Sequence, residues 1–337
     1  MEKKLKRIGV LTSGGDAPGM NAAVRAAVRA AINNGVECIG IRRGWSGLIN
    51  SDFIQMNASS VSHIINKGGT MLYTARCPEF LDPAGRAKAL GTCKLLGLDG
   101  IVAIGGDGTF RGALALSRQA AEAGMDLQVV GIPATIDNDI GCSHYTIGFD
   151  TACNTAIECI DKLRDTMQSH ERCSVVEVMG RHAGYLALYV GISVGATAVL
   201  IPEREPDFQR DIVEKIRHAR LSGTTHYMIV VAEGAGSAVD IAGRIREEVG
   251  LDPRVTVLGH IQRGGAPSAR DRETASRMAY EAVMSLIENS GNRVIAAQNG
   301  ALVRLDMEEA LQMSKPFPMQ RYQILEALSP ARKPQNG

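Results

Sequence analysis

One recurrence limits what this chain can fold into more than any other feature. Short β-branched apolar runs at residues 8–12, 38–41, 101–104, 129–132, 174–179, 198–201, 228–232, 256–258 and 294–297 alternate with amphipathic helical stretches. The helical stretches fall at 20–33, 86–96, 109–123, 151–167, 211–221 and 269–288. Strand, helix, strand in repetition predicts an α/β fold with mostly parallel sheets, because parallel neighbours need long crossovers and helices supply them compactly. In a doubly wound sheet of this kind, ligands collect at the carboxyl ends of strands, where helix N-termini present free N–H groups. Glycine, proline and acidic residues concentrate after Thr12, Ile104, Ile132, Met179 and Leu258, so these five loops are expected to converge.

With 337 residues, 45% of them hydrophobic, the chain has material for a large core and about two domains. Thirty-seven Lys and Arg against 36 Asp and Glu leave a net charge of +1, which gives no general attraction to nucleic acid or membrane. No basic, aromatic-rich stretch supports a nucleic-acid-binding role. The seven cysteines form no CxxC pair and no zinc spacing, and their number is odd; reduced thiols in a cytoplasm are expected. The basic N-terminus precedes an apolar run too short for a signal peptide. Residues 184–202 carry no charge, yet three glycines and the Ser193-Val194-Gly195 break divide them, so two buried elements are expected in place of a membrane span. Only residues 329–337 have the composition of a tail, and the polar break from Asp137 to His144 marks a domain boundary near 140–150.

Three loops carry residues suited to chemistry on phosphates. In LTSGGDAPGMNAAV, Ser13-Gly14-Gly15 allows backbone N–H groups to approach an anion ahead of a helix, although the spacing fits neither a dinucleotide fingerprint nor a P-loop. In IVAIGGDGTFRGA, Asp107 among glycines suits Mg²⁺, which takes few protein oxygens and draws the rest from water and phosphate, and Thr109 is the expected N-cap of the next helix. In GIPATIDNDIG, Thr135, Asp137 and Asp139 follow a strand end, where an aspartate can accept the proton of an attacking alcohol; Asp-Asn-Asp is also ordinary turn chemistry. Arginines stand in further loops at Arg76, Arg172, Arg181, Arg254 and Arg263, the last close to His260. Their guanidinium forks match phosphate oxygens two at a time. A single loop arginine is more often a solvated surface charge, but the cluster beside two Gly-Gly-Asp loops shifts that balance.

Taken together, LTSGGDAPGMNAA, TARCPEF, IGGDGT, IPATIDNDIG, SVVEVMGR and TVLGHIQRGG resemble the ATP-dependent 6-phosphofructokinases of the bacterial type over nearly the whole chain. The resemblance implies two Rossmann-like three-layer domains with mostly parallel sheets and an active site in the cleft between them. The expected division is 1–146 with 263–312 for ATP, and 147–262 with 313–337 for fructose 6-phosphate. It implies transfer of the ATP γ-phosphoryl to the sugar 1-hydroxyl, the committed step of glycolysis, in a cytoplasmic homotetramer with no nucleic-acid or membrane partner. Asp137 would be the base, with Thr135, Asp139 and Arg181 completing the catalytic set. Gly15, Arg76, Cys77, Gly106, Asp107, Gly108 and Thr109 would line ATP, with Asp107 serving Mg²⁺. Met179, Gly180, Arg181 and Glu233 would hold the sugar along with Thr135 and Asp137. His260 and Arg263 would take the 6-phosphate, joined by Arg172 and Arg254 of a neighbouring subunit.

The pyrophosphate-dependent relatives resemble this pattern but carry an acid and a lysine where Gly108 and Ala134 stand here, which favours ATP as donor. Arg25 and Arg29, four apart on one helical face, match the family's effector-binding positions. Ala58, Thr197, Ser222, Thr224 and Thr225 depart from that pocket's usual charges, so a blunted effector response is expected. The alternatives are a pyrophosphate-dependent enzyme, another small-molecule kinase with a GGDGT loop, and an inactive regulatory or metabolite-binding subunit.

Overall fold

The computed structural model describes residues 5–329; residues 330–337 of the tail-like segment lie outside them. Eleven strands occur among the described residues: β1 (Arg7–Ser13), β2 (Glu37–Ile41), β3 (Phe53–Met56), β4 (Gly100–Gly105), β5 (Gln128–Pro133), β6 (Cys173–Val178), β7 (Ala198–Leu200), β8 (Tyr227–Ala232), β9 (Arg254–Val257), β10 (Arg293–Gln298) and β11 (Ala301–Asp306). They form a mixed α/β fold with two sheets. The seven-stranded sheet has the order β11-β10-β5-β4-β1-β2-β3, and the four-stranded sheet the order β7-β8-β6-β9.

The chain divides into two compact units. One comprises the residues up to Ile136, Ile140–Thr151 and Arg263–Lys315; the other comprises Asp137–Asp139, Ala152–Gln262 and the residues from Pro316 on. In the first unit the five inner strands run parallel, while β3 and β11 pair antiparallel at the two edges. β4 is buried at every residue, which explains its near-continuous apolar sequence: a strand covered on both faces has no polar side to show. The helices Pro83–Leu96 and Asp107–Glu122 contribute Ala89, Leu90, Phe110, Ala113 and Leu116 to the core beside Leu11, Ile39, Ile101 and Ala103. In the second unit β7, β8, β6 and β9 pair in parallel, and Val175, Leu200, Ile229 and Val231 pack with Ile212, Ile216, Ile241 and Ile245 from its helices.

All nine apolar runs are strands, and the elements missed in the sequence have physical reasons. β3 and β11 are half-buried edge strands, so no apolar run marks them. The helix Ala238–Val249 was legible: Ser237 caps it through Val239 N–H, and Ala238, Ile241, Ala242 and Ile245 make a buried stripe. Residues 184–202 resolve into the helix Tyr185–Ser193 and β7, and no helix among the described residues is long and apolar enough to cross a membrane. All seven cysteines are free thiols, and burial pushes those of Cys38 and Cys173 up to about 12, which keeps them protonated and unreactive.

Candidate active site

The five glycine- and acid-rich loops fall into two sets. Those after β1 and β4, and the one after β5 as far as Ile136, start in the first unit, where register pairs Ser13 with Gly105 and Gly105 with Pro133, while Asp137–Asp139 group with the second. The three loops therefore leave the same edge of the sheet side by side. β1 continues to β2 on one flank while β4 and β5 lie on the other, so the first two loops border the point where strand order reverses. Helices begin directly beyond both loops, at Met20 and Asp107, and bring their N-terminal N–H groups to that edge.

Side chains lock these loops together. Thr109 Oγ1 donates to the Ser13 carbonyl at 3.1 Å, from a fully buried position. Thr109 was expected as the helix N-cap, but the helix starts at Asp107 with Gly106 before it, and the threonine hydroxyl instead satisfies the end of β1. Thr74 Oγ1 donates to the Gly14 carbonyl at 2.7 Å, and Thr12 Oγ1 donates to the Tyr73 carbonyl at 2.9 Å. Arg76 and Cys77 follow that strap. Beyond them Phe80 stacks on Trp45, with ring centroids 4.6 Å apart and planes 9° from parallel. Gly14 has φ +91°, a conformation that side chains other than glycine's strain. Gly15 leaves room for an arginine: a Cβ there would meet Arg263 Nη1 at 2.8 Å and push that guanidinium aside. Arg263 donates from Nη1 to the Asp16 carbonyl at 2.9 Å, so it sits on the first loop within its unit.

Asp107 is exposed in the first helical turn and pairs with Arg111 Nε at 2.6 Å. No group of three His, Cys, Asp or Glu suited to a metal occurs among the described residues. A lone carboxylate at the mouth of glycine loops fits Mg²⁺, which keeps several waters and uses phosphate oxygens. At Gly108 an added Cβ would find nothing within 4 Å, whereas Ala134 is buried. The stretch GIPATIDNDIG continues from β5, Thr135 accepting at its carbonyl from Thr146 Oγ1 at 2.6 Å. Asp137 is 7% exposed and Asn138, at φ +53°, is 3% exposed, while Asp139 is exposed. The turn thus separates its two aspartates into a buried one and a solvated one.

The second unit carries the other loops. β6 lies between β8 and β9, so Met179-Gly180-Arg181 after β6 is flanked by Glu233 after β8 and by the Gly259–Arg263 turn after β9. Glu233 Oε1 accepts from the N–H groups of Gly180 and Arg181 at 3.2 and 2.6 Å. Arg181 has φ +57°, its side chain exposed; His260 is exposed as well. Arg172 and Arg254 lie elsewhere: Arg172 precedes β6, and Arg254 opens β9 opposite Ser174. They occupy the amino end of the sheet, about 20 Å of strand away from the carboxyl-end loops.

At the effector positions, Arg25 and Arg29 are half-buried, and Arg29 Nε is buried with no hydrogen-bond partner among the described residues. A freely solvated face does not describe them. Thr197, where an acid was expected, has its hydroxyl engaged by the Met228 N–H at 3.2 Å, and Ser222 Oγ donates to the His218 carbonyl.

Residues 7–286 match the protein family described as Phosphofructokinase. The chain is 51% identical over 325 residues to an ATP-dependent 6-phosphofructokinase of Bacillus cytotoxicus, covering 96% of this chain and 100% of that relative. An ATP-dependent 6-phosphofructokinase of Clostridium botulinum is 49% identical with the same coverage. Among solved structures, phosphofructokinase from Saccharomyces cerevisiae is similar with a TM-score of 0.85 and 34% identity, over 96% of this chain and 46% of that one. This chain thus spans about half of the yeast chain. A pyrophosphate-dependent phosphofructokinase from Marinobacter aquaeolei has a TM-score of 0.84 at 19% identity, covering 98% and 93% of the two chains, a likeness of fold.

Proposed function

The chain belongs to the phosphofructokinase family, and on that premise we propose that it transfers the ATP γ-phosphoryl to the 1-hydroxyl of fructose 6-phosphate, giving fructose 1,6-bisphosphate in glycolysis. The observation that carries this reading is a buried aspartate, Asp137, just past the end of β5. Phosphoryl transfer asks a protein mainly for positioning and charge stabilisation, with a base to receive the alcohol proton. In this reading Asp137 takes that proton, and Thr135 and Asp139 flank it. Backbone N–H groups of the Gly14-Gly15 and Gly106–Thr109 loops cradle the ATP phosphates, with Arg76 and Cys77 alongside. Asp107 holds Mg²⁺, which when bound neutralises phosphate charge. Arg181 donates to the oxygens on which charge grows. Met179, Gly180 and Glu233 hold the sugar, and His260 and Arg263 its 6-phosphate.

In this reading the unit with the seven-stranded sheet takes ATP and the unit with the four-stranded sheet takes the sugar phosphate. Arg172 and Arg254, at the amino end of β6 and β9, are badly placed for their own unit's carboxyl-end loops. Their position supports a homotetramer in which they reach a neighbour's substrate. Free thiols throughout the described residues support a cytoplasmic setting. Open space at Gly108 and the small Ala134 favour ATP over pyrophosphate as donor, because neither position crowds an adenosyl group.

The test is steady-state phosphorylation with ATP against pyrophosphate, and with fructose 6-phosphate against NAD and diacylglycerol, for wild type and Asp137→Ser. We expect turnover only with ATP and fructose 6-phosphate, and a loss of about 10²–10⁴ in kcat for the variant. Near-normal turnover of Asp137→Ser would remove Asp137 as the base. An inactive wild-type homo-oligomer would leave the regulatory-subunit reading.

A further inference from the structure

We propose that Gln262 is a positioning residue for the sugar-phosphate side of the site: its side-chain carbonyl fixes the Met179 N–H and so sets the turn that presents Arg181. The proposal rests on the fructose 6-phosphate reading above. Gln262 is completely buried, and its Oε1 accepts from the Met179 N–H at 2.9 Å.

Three consecutive backbone donors, those of Met179, Gly180 and Arg181, are thereby held by side chains from the two flanking loops. Gln262 reaches in from the β9 side and Glu233 from the β8 side. The turn needs such holding. Arg181 is left-handed at φ +57°, a conformation unfavourable for an arginine that persists only where the surroundings dictate it. Gly180, at φ +139°, has a backbone that only glycine adopts easily, and a Cβ there would meet the Ala183 carbonyl oxygen at 2.5 Å.

Packing does not explain a glutamine at 262. Its Nε2 is buried with no hydrogen-bond partner among the described residues, and an orphaned buried donor is destabilising. A methionine would fill a similar volume without that donor. What the glutamine adds is the acceptor. Gln262 also shares its turn, Gly259–Arg263, with His260, so one hydrogen bond ties the backbone carrying His260 to the backbone carrying Arg181.

The experiment compares Gln262→Met, which removes the acceptor, with Gln262→Glu, which keeps it. Losing one buried partner is expected to raise KM for fructose 6-phosphate about tenfold in Gln262→Met, with KM for ATP within about twofold and no fall in Tm. Gln262→Glu is expected to recover KM to within about threefold of wild type. Amide hydrogen exchange at 179–181 gives a readout independent of turnover: faster in Gln262→Met, restored in Gln262→Glu. An unchanged KM for fructose 6-phosphate in Gln262→Met overturns the proposal. So does a rise in both KM values together with a lower Tm, which marks a space-filling role. Wild-type turnover of fructose 6-phosphate is the control that separates failure of this inference from failure of the proposed reaction.

Discussion

The two units build their anion-facing loops from different material. In the seven-stranded unit, glycines clear the way and backbone N–H groups at helix starts face outward, with threonine hydroxyls bracing the loops from behind. In the four-stranded unit, the backbone N–H groups of the central turn are taken up by Gln262 and Glu233, and charged side chains face outward instead. The same contrast appears in their buried acids. Asp271 of the first unit and Asp211 of the second are both fully buried. Among the described residues Asp271 accepts only from neutral groups: Tyr145 Oη at 2.5 Å, Thr151 Oγ1 at 2.5 Å, and the N–H groups of Gly148 and Thr151 at 2.7 and 2.9 Å. Asp211 is gripped by Arg204 and Arg210 at 2.8 and 2.9 Å. The lesson is that a buried carboxylate can be held by dipoles or by cations, with opposite consequences for its proton. Burial raises the pKa of Asp271 despite its four donors. Burial acts the same way on Asp211, but Arg210, Arg204 and the Asp207 N–H outweigh it and leave the pKa lowered.

The largest effect expected from this contrast is on stability. Asp271→Ala orphans four buried donors that have no route to water and should cost about 3 kcal/mol or more. Asp211→Ala frees arginines that can turn to solvent and should cost about 1–2 kcal/mol. Urea denaturation of both variants checks the ranking, and equal costs would erase the distinction. Stability against pH separates them further. The contribution of Asp271, whose folded pKa is raised, is full below its unfolded value of about 4 and is lost as pH rises through the folded value. The contribution of Asp211, whose folded pKa is lowered, is full above about 4 and is lost as pH falls through the folded value. Asp271→Asn should therefore flatten the limb above that pH and Asp211→Asn the acid limb; both flattening the same limb would contradict the assignment.

A smaller effect concerns glycines. Gly108 sits in a first helical turn with open space around it, so the fold itself does not require it, whereas Gly180 is required by its own backbone. Gly108→Ala should hold or raise Tm, alanine being the better helix former by about 1 kcal/mol, yet raise KM for ATP about tenfold by filling ligand space. An unchanged KM for ATP would remove Gly108 from the nucleotide site. The smallest effect expected is allosteric. With Ala58, Thr197, Ser222, Thr224 and Thr225 in place of the family's charged groups, ADP should change the fructose 6-phosphate saturation curve by less than about twofold in midpoint. A sigmoidal curve strongly relieved by ADP would show that Arg25 and Arg29 suffice.

Much of this protein was determined by its sequence alone. Strands covered on both faces are mainly apolar, so β1, β4, β5, β6 and β8 announce themselves, and the loops after β4 and β5 carry Asp107 and Asp137 in plain view. Half-exposed edge strands such as β3 and β11 carry no comparable signal. What the tertiary structure alone decided are the pairings between distant residues. Gln262 meets Met179 across 83 positions, Asp271 meets Thr151 across 120, and Arg263 meets Asp16 across 247. The reason is physical. Local periodicity reflects which face of an element meets solvent, and each residue type reveals that by itself. A hydrogen bond between remote side chain and backbone exists only once the sheet has set their strands in order, and neither partner carries a mark of the other.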